Sequence, residues 1–316
     1  MIFARDATAG TPGSAAVASW LDRFRPREWS EWNGTLAPYL FIAPFLVSFV
    51  VFFAFPSIYS VVLSLFRYNG YTTPHWVGLN NYHSLLESPD FQQAIANAVF
   101  YWLVPLGPML VGAFLLALAV RSRLARLSAV YKPLIFVPQV MAPVAAALVW
   151  RVMLSNSGVV NSSLDLHVEW LTDPRALKWG VVMLLVWRGI GWYFVVFLAG
   201  LSTISEDLLD AASADGASAA RRLWHVILPL MRPTILFAFV IDTIASLQLF
   251  AEPNLLVGGA GTTAGAPPSA APVMNQVVGN VIGGQFGLAA AVGWLVFVAI
   301  AIFSFVQFRL FRDTAP

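Results

Sequence analysis

The chain has 316 residues, 59% of them hydrophobic and only 11% charged, with a mean hydropathy of +0.73. Soluble domains carry roughly 25% charged residues, so this composition excludes an ordinary water-exposed surface and marks an integral membrane protein. A net charge of +2 is too small to attract nucleic acid, and the absence of cysteine excludes disulfides, thiolate catalysis and Cys-ligated metals.

Residues 1–36 hold Arg5, Arg23, Arg25 and Arg27 interleaved with acids, and they lack the layout of a cleavable signal peptide. Trp20, Leu21, Phe24, Trp29 and Trp32 among these charges read either as a segment lying at the membrane interface or as a tail with stray aromatics. Crossing the hydrocarbon core takes about 20 apolar residues. Within a transmembrane domain at 37–312, six stretches qualify: 37–65, 94–120, 133–154, 177–201, 233–257 and 287–308. The first, second and sixth carry no charge, whereas the fourth contains Arg188 and the fifth contains Asp242 and Glu252.

Lys and Arg placement sets the orientation. With the N-terminus inside, the cytoplasmic segments hold 13 of the 18 basic residues; the exceptions are Arg67, Arg151, Arg175, Lys178 and Arg188. The expected fold class is therefore an all-α integral membrane protein with about six transmembrane helices and both termini cytoplasmic. Its outer connections fall at 66–93, 155–176 and 258–286. The last is rich in Gly and Pro and reads as an irregular loop, with 273–284 as a short helix at the outer surface.

Between the fourth and fifth spans the chain reads SEDLLDAASADGASAARRLWHVILPLMRP, a polar helical hairpin far longer than the usual loop. Ser205 can cap the first helix, and Glu206 and Asp207 place negative charge where the helix dipole favours it. Asp215-Gly216 supplies a turn, because glycine tolerates positive φ. Ser218 can cap a second helix carrying Leu223, Val226 and Ile227 at helical spacing. Pro229 and Pro233 are expected to break the path before the fifth span, with Pro233 in that span's first turn. Such a hairpin either lies on its own bundle or receives a docking partner.

The residues of the hairpin resemble the coupling motif of ABC-importer permeases: Glu-Ala-Ala, three residues, Gly, then an Ile-x-Leu-Pro ending. Asp210-Ala211-Ala212 stands at the Glu-Ala-Ala position, Gly216 is the glycine and Ile227-Leu228-Pro229 closes the motif. Asp for Glu at 210 keeps the charge and shortens the reach. Asp215-Gly216-Ala217-Ser218 matches the sugar-permease form. The resemblance extends through Val77-Gly78-Leu79-Asn80-Asn81-Tyr82, Asn97, Trp187-Arg188-Gly189-Ile190-Gly191, Leu198-Ala199-Gly200-Leu201 and Phe286-Gly287-Leu288-Ala289-Ala290. The chain is similar to the first permease of maltose-type pairs in bacterial or archaeal plasma membranes.

The resemblance implies several partners: a homologous second permease, two copies of a cytoplasmic ABC ATPase binding ATP and Mg, and an extracytoplasmic substrate-binding protein or lipoprotein. It implies coupling roles for Asp210, Ala211, Ala212, Asp215 and Gly216, supported by Leu209 and Leu223. The chain itself has no Gly-x-x-x-x-Gly-Lys-Ser/Thr, and its only lysines are Lys132 and Lys178, so it carries no phosphate-cradling loop and no cofactor of its own. His75, His83, His167 and His225 are scattered without metal-ligand spacing, and no catalytic constellation is apparent.

Ionisable residues inside spans are candidate functional groups. Counting from Pro233, Asp242 lies about 13 Å deep, close to the midplane. Gln248 and Glu252, four positions apart, are expected to share one helix face nearer the outside. With Asn97, Trp192, Tyr193 and Arg188 they offer hydrogen bonds and stacking surfaces suited to a neutral polyhydroxylated ligand. In sugar permeases the fifth span lines the translocation path, so the resemblance points the same way. The bland readings are an Asp242–Arg188 structural ion pair, Glu252 in interfacial water, and Trp192 and Tyr193 as lipid-belt aromatics. The expected cargo is a di- or oligosaccharide such as trehalose or maltose. The alternatives are glycerol 3-phosphate or a glycerophosphodiester in the same family, an ion-coupled secondary carrier, and a membrane-embedded enzyme.

Overall fold

The computed structural model of the chain describes residues 37–121, 128–258 and 265–312, and the N-terminal segment expected at the interface lies outside them. The chain divides into two compact units after Tyr59. The first span, Pro38–Ser64, is built from α1 (Ala37–Phe49), a π-helical stretch (Val50–Ala54) and α2 (Phe55–Ser64). Phe45, Phe49 and Phe53 stack in succession at 6.2 and 5.2 Å between ring centroids, as i,i+4 spacing allows.

The second unit begins at Ser60, within α2, and continues into a hairpin of two-residue strands, β1 (Phe66–Arg67) and β2 (His75–Trp76), paired antiparallel with Phe66 opposite Trp76. Buried Asn81, in α3 (Asn80–Glu87), donates to the carbonyls of Ser64 and Phe66 at 2.7 and 2.9 Å and so ties off the strand end. α4 (Pro89–Arg121) buries a stripe of small residues, Ala94, Ala98, Ala113 and Ala117. Such stripes let membrane helices approach closely, and α8 (Pro174–Ser202) packs on the Ala113 and Ala117 end of this one. The Arg121 guanidinium donates to the carbonyls of Leu201 and Ile204, so α4 and α8 end together and a cation meets the free carbonyls of a helix C-terminus.

Three expectations are corrected. The stretch 133–154 is not one straight span: α5 (Ser128–Val140) and α6 (Pro143–Met153) are bent by 97°. Pro143 has no N–H to continue the ladder and its ring disfavours α geometry at Ala142, which adopts φ −55°, ψ 139°. The helices long and apolar enough to cross a membrane therefore number five among the described residues, or six with this bent pair.

The second correction concerns Pro229 and Pro233. The hairpin's second helix runs through them without a break as α10 (Ala219–Arg222), a π-helical stretch (Leu223–Ile227) and α11 (Leu228–Leu247), one span of 29 residues. Pro229 directly follows the π-helical stretch, where the ladder is already shifted to the wider i→i+5 spacing, so the missing N–H does not end the helix.

The third concerns 233–257, which stops at Leu247 and resumes as α12 (Ala251–Gly258). Pro253 cannot donate to the carbonyl of Leu249, which weakens the helix at the point where it breaks. Gln248 and Glu252 consequently do not share a helix face.

The remaining elements are α7 (Val159–Leu164), α9 (Glu206–Ala214), α13 (Met274–Ile282) and α14 (Phe286–Arg312). The short helix expected at 273–284 is α13. The irregular loop before it is described from Gly265 onward. The core of this unit lies where α4, α8 and α11 meet around Phe194, Phe197, Leu201 and Met231. A second cluster joins α6, α8 and α12 around Leu154, Leu184 and Leu256. Thr243 knots three helices: its hydroxyl accepts from Trp102 Nε1 of α4 at 3.1 Å and from Gln307 Nε2 of α14 at 2.7 Å.

Candidate functional site

The break between α11 and α12 leaves non-helical backbone at Gln248, Leu249 and Phe250 inside the membrane-spanning region. Irregular backbone is tolerated at that depth when it lines a cavity. A cavity of about 520 Å³ opens there, walled by α4, α5, α8, α11 and α12. Its size falls in the range of about 300–1,000 Å³ typical of small-molecule sites. Gly191 allows the wall to close, because a Cβ there would lie 2.6 Å from the Ile135 carbonyl of α5.

Six of the seven residues read as a substrate path line this cavity: Arg188, Trp192, Tyr193, Asp242, Gln248 and Glu252. Their pairing differs from the expected one. Arg188 Nη1 meets Glu252 Oε1 at 2.5 Å, both side chains about 15% exposed, so no Arg188–Asp242 pair forms. Asp242 instead accepts from the Tyr193 hydroxyl at 2.8 Å and the Ser246 hydroxyl at 3.4 Å. Buried Tyr193 is therefore not a belt aromatic. Arg188 Nε is buried without a partner.

Arg188 and Glu252 are thus committed to each other, and Asp242 to two hydroxyls. The uncommitted polar groups facing the cavity are the side-chain amides of Gln139 and Gln248 and the indole of Trp192, which is 39% exposed. Gln139 escaped the sequence reading, although a lone amide in an apolar span was a usable signal.

Asn97 is elsewhere. It is fully buried, and its Nδ2 donates to the carbonyls of Pro268 and Ala271 at 3.0 and 2.9 Å while Gln93 donates to its Oδ1. The Tyr101 hydroxyl donates to the Ala270 carbonyl beside it. Together they pin the 265–273 loop onto α4.

The polar hairpin is capped as its sequence implies. The Ser205 side chain accepts from Leu208 N, and the Ser218 side chain accepts from Arg221 N. At the turn, Ala217 N–H bonds the Ala212 carbonyl and Gly216 N–H bonds the Ser213 carbonyl, both at 3.0 Å, with Gly216 at φ +77°. This is a Schellman ending, in which glycine occupies the left-handed position without steric cost. Arg222 Nη1 donates to Ser213 Oγ and closes the two arms.

Leu209 and Ile227 pack down against the core, while Asp210, Ala211, Asp215 and Gly216 are exposed. A second cavity of about 790 Å³ runs between the arms and the end of α4, lined by Leu209, Asp210, Leu223, Arg121 and Arg222 among others. Exposed Leu208 and Trp224, at 51% and 67%, flank the same element and were missed. A bare indole beside a charged turn was the available signal.

The hairpin and cavity sit on a chain whose relatives are permeases. The lactose transport system permease protein LacF of Rhizobium radiobacter is 30% identical over 284 residues, 87% of this chain and 94% of that one. The trehalose transport system permease protein SugA of Mycobacterium tuberculosis is 30% identical over 285 residues, 88% and 89% of the two chains. Among solved structures, a chain of a bacterial ABC transporter involved in import of the acidic polysaccharide alginate superposes with a TM-score of 0.76. At 23% identity, covering 91% of this chain and 99% of that one, it shares the fold. Residues 90–315 match the family described as binding-protein-dependent transport system inner membrane component, and the chain is a multi-pass membrane protein belonging to that family.

Proposed function

We propose that the chain is one permease subunit of an ATP-driven importer for a neutral di- or oligosaccharide. It pairs with a homologous second permease, two copies of an ABC ATPase that bind ATP and Mg, and an external binding protein or lipoprotein. The reading rests chiefly on the exposed, Schellman-closed hairpin of a chain that has no phosphate-cradling loop. Work must then enter from another polypeptide, and this hairpin is the built docking element. The Lys and Arg distribution supports a cytoplasmic position for the hairpin and both termini, in a bacterial or archaeal plasma membrane.

In this mechanism Asp210, Ala211, Ala212, Asp215 and Gly216 form the tip seated in an ATPase groove, with Leu209 and Leu223 anchoring it to the bundle. Because α10, the π-helical stretch and α11 form one continuous span, movement of the tip is carried along a single rod to Asp242 and Gln248 at the cavity. ATP binding on one subunit thereby alters access at the cavity of another. The cavity favours a neutral cargo because Arg188 and Glu252 are paired and the Asp242 carboxylate is taken up by the Tyr193 and Ser246 hydroxyls, leaving the Gln139 and Gln248 amides for sugar hydroxyls and Trp192 for a ring face.

The absence of cysteine makes the test clean. A single Asp215→Cys substitution should form a site-specific crosslink to the ATPase in the assembled complex, and the purified chain alone should hydrolyse no ATP. No crosslink from Asp215→Cys in a complex active for uptake, or hydrolysis by the chain alone, would overturn the reading.

A further inference from the structure

Five basic residues lie outside the segments that the positive-inside pattern explains: Arg67, Arg151, Arg175, Lys178 and Arg188. Arg188 is answered by Glu252. Arg175 and Lys178 have no ion pair among the described residues, and both border a cavity of about 360 Å³ with Gln93, Phe100, Trp179 and Ser269. None of the residues lining it is a carboxylate. The acids nearest in sequence are engaged locally: Asp173 accepts from Ala176 N at 2.9 Å, and Glu169 accepts from the Thr172 hydroxyl at 2.8 Å.

The cavity is assembled from three parts of the chain. Arg175, Lys178 and Trp179 fall on one face of α8 within about one turn. Gln93 and Phe100 come from α4, and Ser269 comes from the loop pinned by Asn97. Lys178 Nζ sits 5.6 Å from the Phe100 ring centroid, and the Phe100 and Trp179 rings meet edge to face at 5.6 Å. Trp179 remains 52% exposed.

Depth selects the occupant. Lys178 lies about 6 Å along the helix from Pro174, where the span begins. The headgroup layer is about 5–8 Å thick on each side of the hydrocarbon, and exposed tryptophan concentrates at that boundary. We infer that this cavity binds the headgroup of an anionic phospholipid in the leaflet opposite the hairpin. Arg175 and Lys178 hold its phosphodiester, the Ser269 hydroxyl meets its polar end, and Trp179 lies against the glycerol–acyl junction. The bound lipid bridges α4, α8 and the 265–273 loop at the end of the bundle remote from the hairpin. The inference is independent of which solute is transported.

The test uses the full chain in its assembled complex, reconstituted in nanodiscs of equimolar phosphatidylglycerol and phosphatidylcholine, with retained lipid counted by native mass spectrometry. The wild-type complex should retain phosphatidylglycerol over phosphatidylcholine by about tenfold. The Arg175→Gln/Lys178→Gln double substitution should bring the two lipids close to parity. Equal retention of the two lipids by the wild type defeats the inference even if the variant fails to assemble, and so does an undiminished preference in an assembled variant. Displacement of the lipid by millimolar inorganic phosphate would show a free-anion site instead. Displacement by the external binding protein would assign the pocket to a protein partner.

Discussion

Arg188 Nη1 lies 2.5 Å from Glu252 Oε1, and this contact fastens α8 to α12 across the break that ends α11. The two residues are 64 positions apart in sequence and belong to helices with no common register. Both are mostly withdrawn from solvent, so each compensates the burial of the other. Breaking one side of a buried pair costs more than deleting both.

Glu252→Ala should therefore destabilise the purified complex by about 2 kcal/mol, below the full cost of breaking a buried pair because the site opens onto a cavity. The Arg188→Ala/Glu252→Ala double substitution should lose less than the two single losses combined. Thermal melting of the four proteins measures the coupling; strict additivity would show that the pair does not hold α8 to α12.

Gln248 offers an uncommitted amide to the cavity. Gln248→Ala should raise the KM for sugar uptake on the order of tenfold, the effect of removing one hydrogen bond. Complex assembly should be unaffected. Uptake kinetics in proteoliposomes beside a pull-down of the partner subunits separate the two effects, and unchanged kinetics would exclude Gln248 from the path.

Gly216→Asp forces a Cβ into a φ of +77°, at a turn whose outer side is open space. The strain is about 1–2 kcal/mol and local, too small to unfold a bundle. The variant should insert in the membrane at wild-type level and lose uptake, because the added side chain occupies the docking tip. Membrane fractionation and uptake assays decide; wild-type uptake would remove the coupling role.

Thr243 accepts two buried hydrogen bonds, from Trp102 and Gln307. Thr243→Val keeps the shape and orphans both donors, so stability should fall by about 1–2 kcal/mol, the lower range expected within a membrane. Thr243→Ser should restore most of it. A Val variant that melts like wild type would show that the knot contributes nothing.

The spans and the hairpin were legible because their causes are local. Charge-free apolar runs such as 94–120 have no comfortable alternative to the bilayer, and Ser205, Gly216 and Ser218 act within four residues of themselves. Broken spans were locally signalled too, by Pro143 and Pro253, but each proline is compatible with either a kink or a stop. Packing of α6 on α12 selects the stop. Pro229 and Pro233 carried the same signal and their helix continues.

Side-chain partnerships were not legible. Arg188, Asp242 and Glu252 are three charges with more than one possible pairing, and only the fold brings Glu252 rather than Asp242 to the guanidinium. Asn97 reads the same in sequence whether it faces cargo or a loop carbonyl; the return of residues 268–271 over α4 makes it an anchor.

The sequence by itself determined that this chain lives in a membrane and crosses it several times, and that its polar hairpin is capped and turned at Gly216. Those outcomes follow from transfer free energy and backbone geometry over short windows. Tertiary structure alone decided where the fifth span ends as a helix, which charges neutralise one another, and which polar groups remain free to face the cavity. Those depend on distances between residues far apart in the chain, which local propensity does not specify.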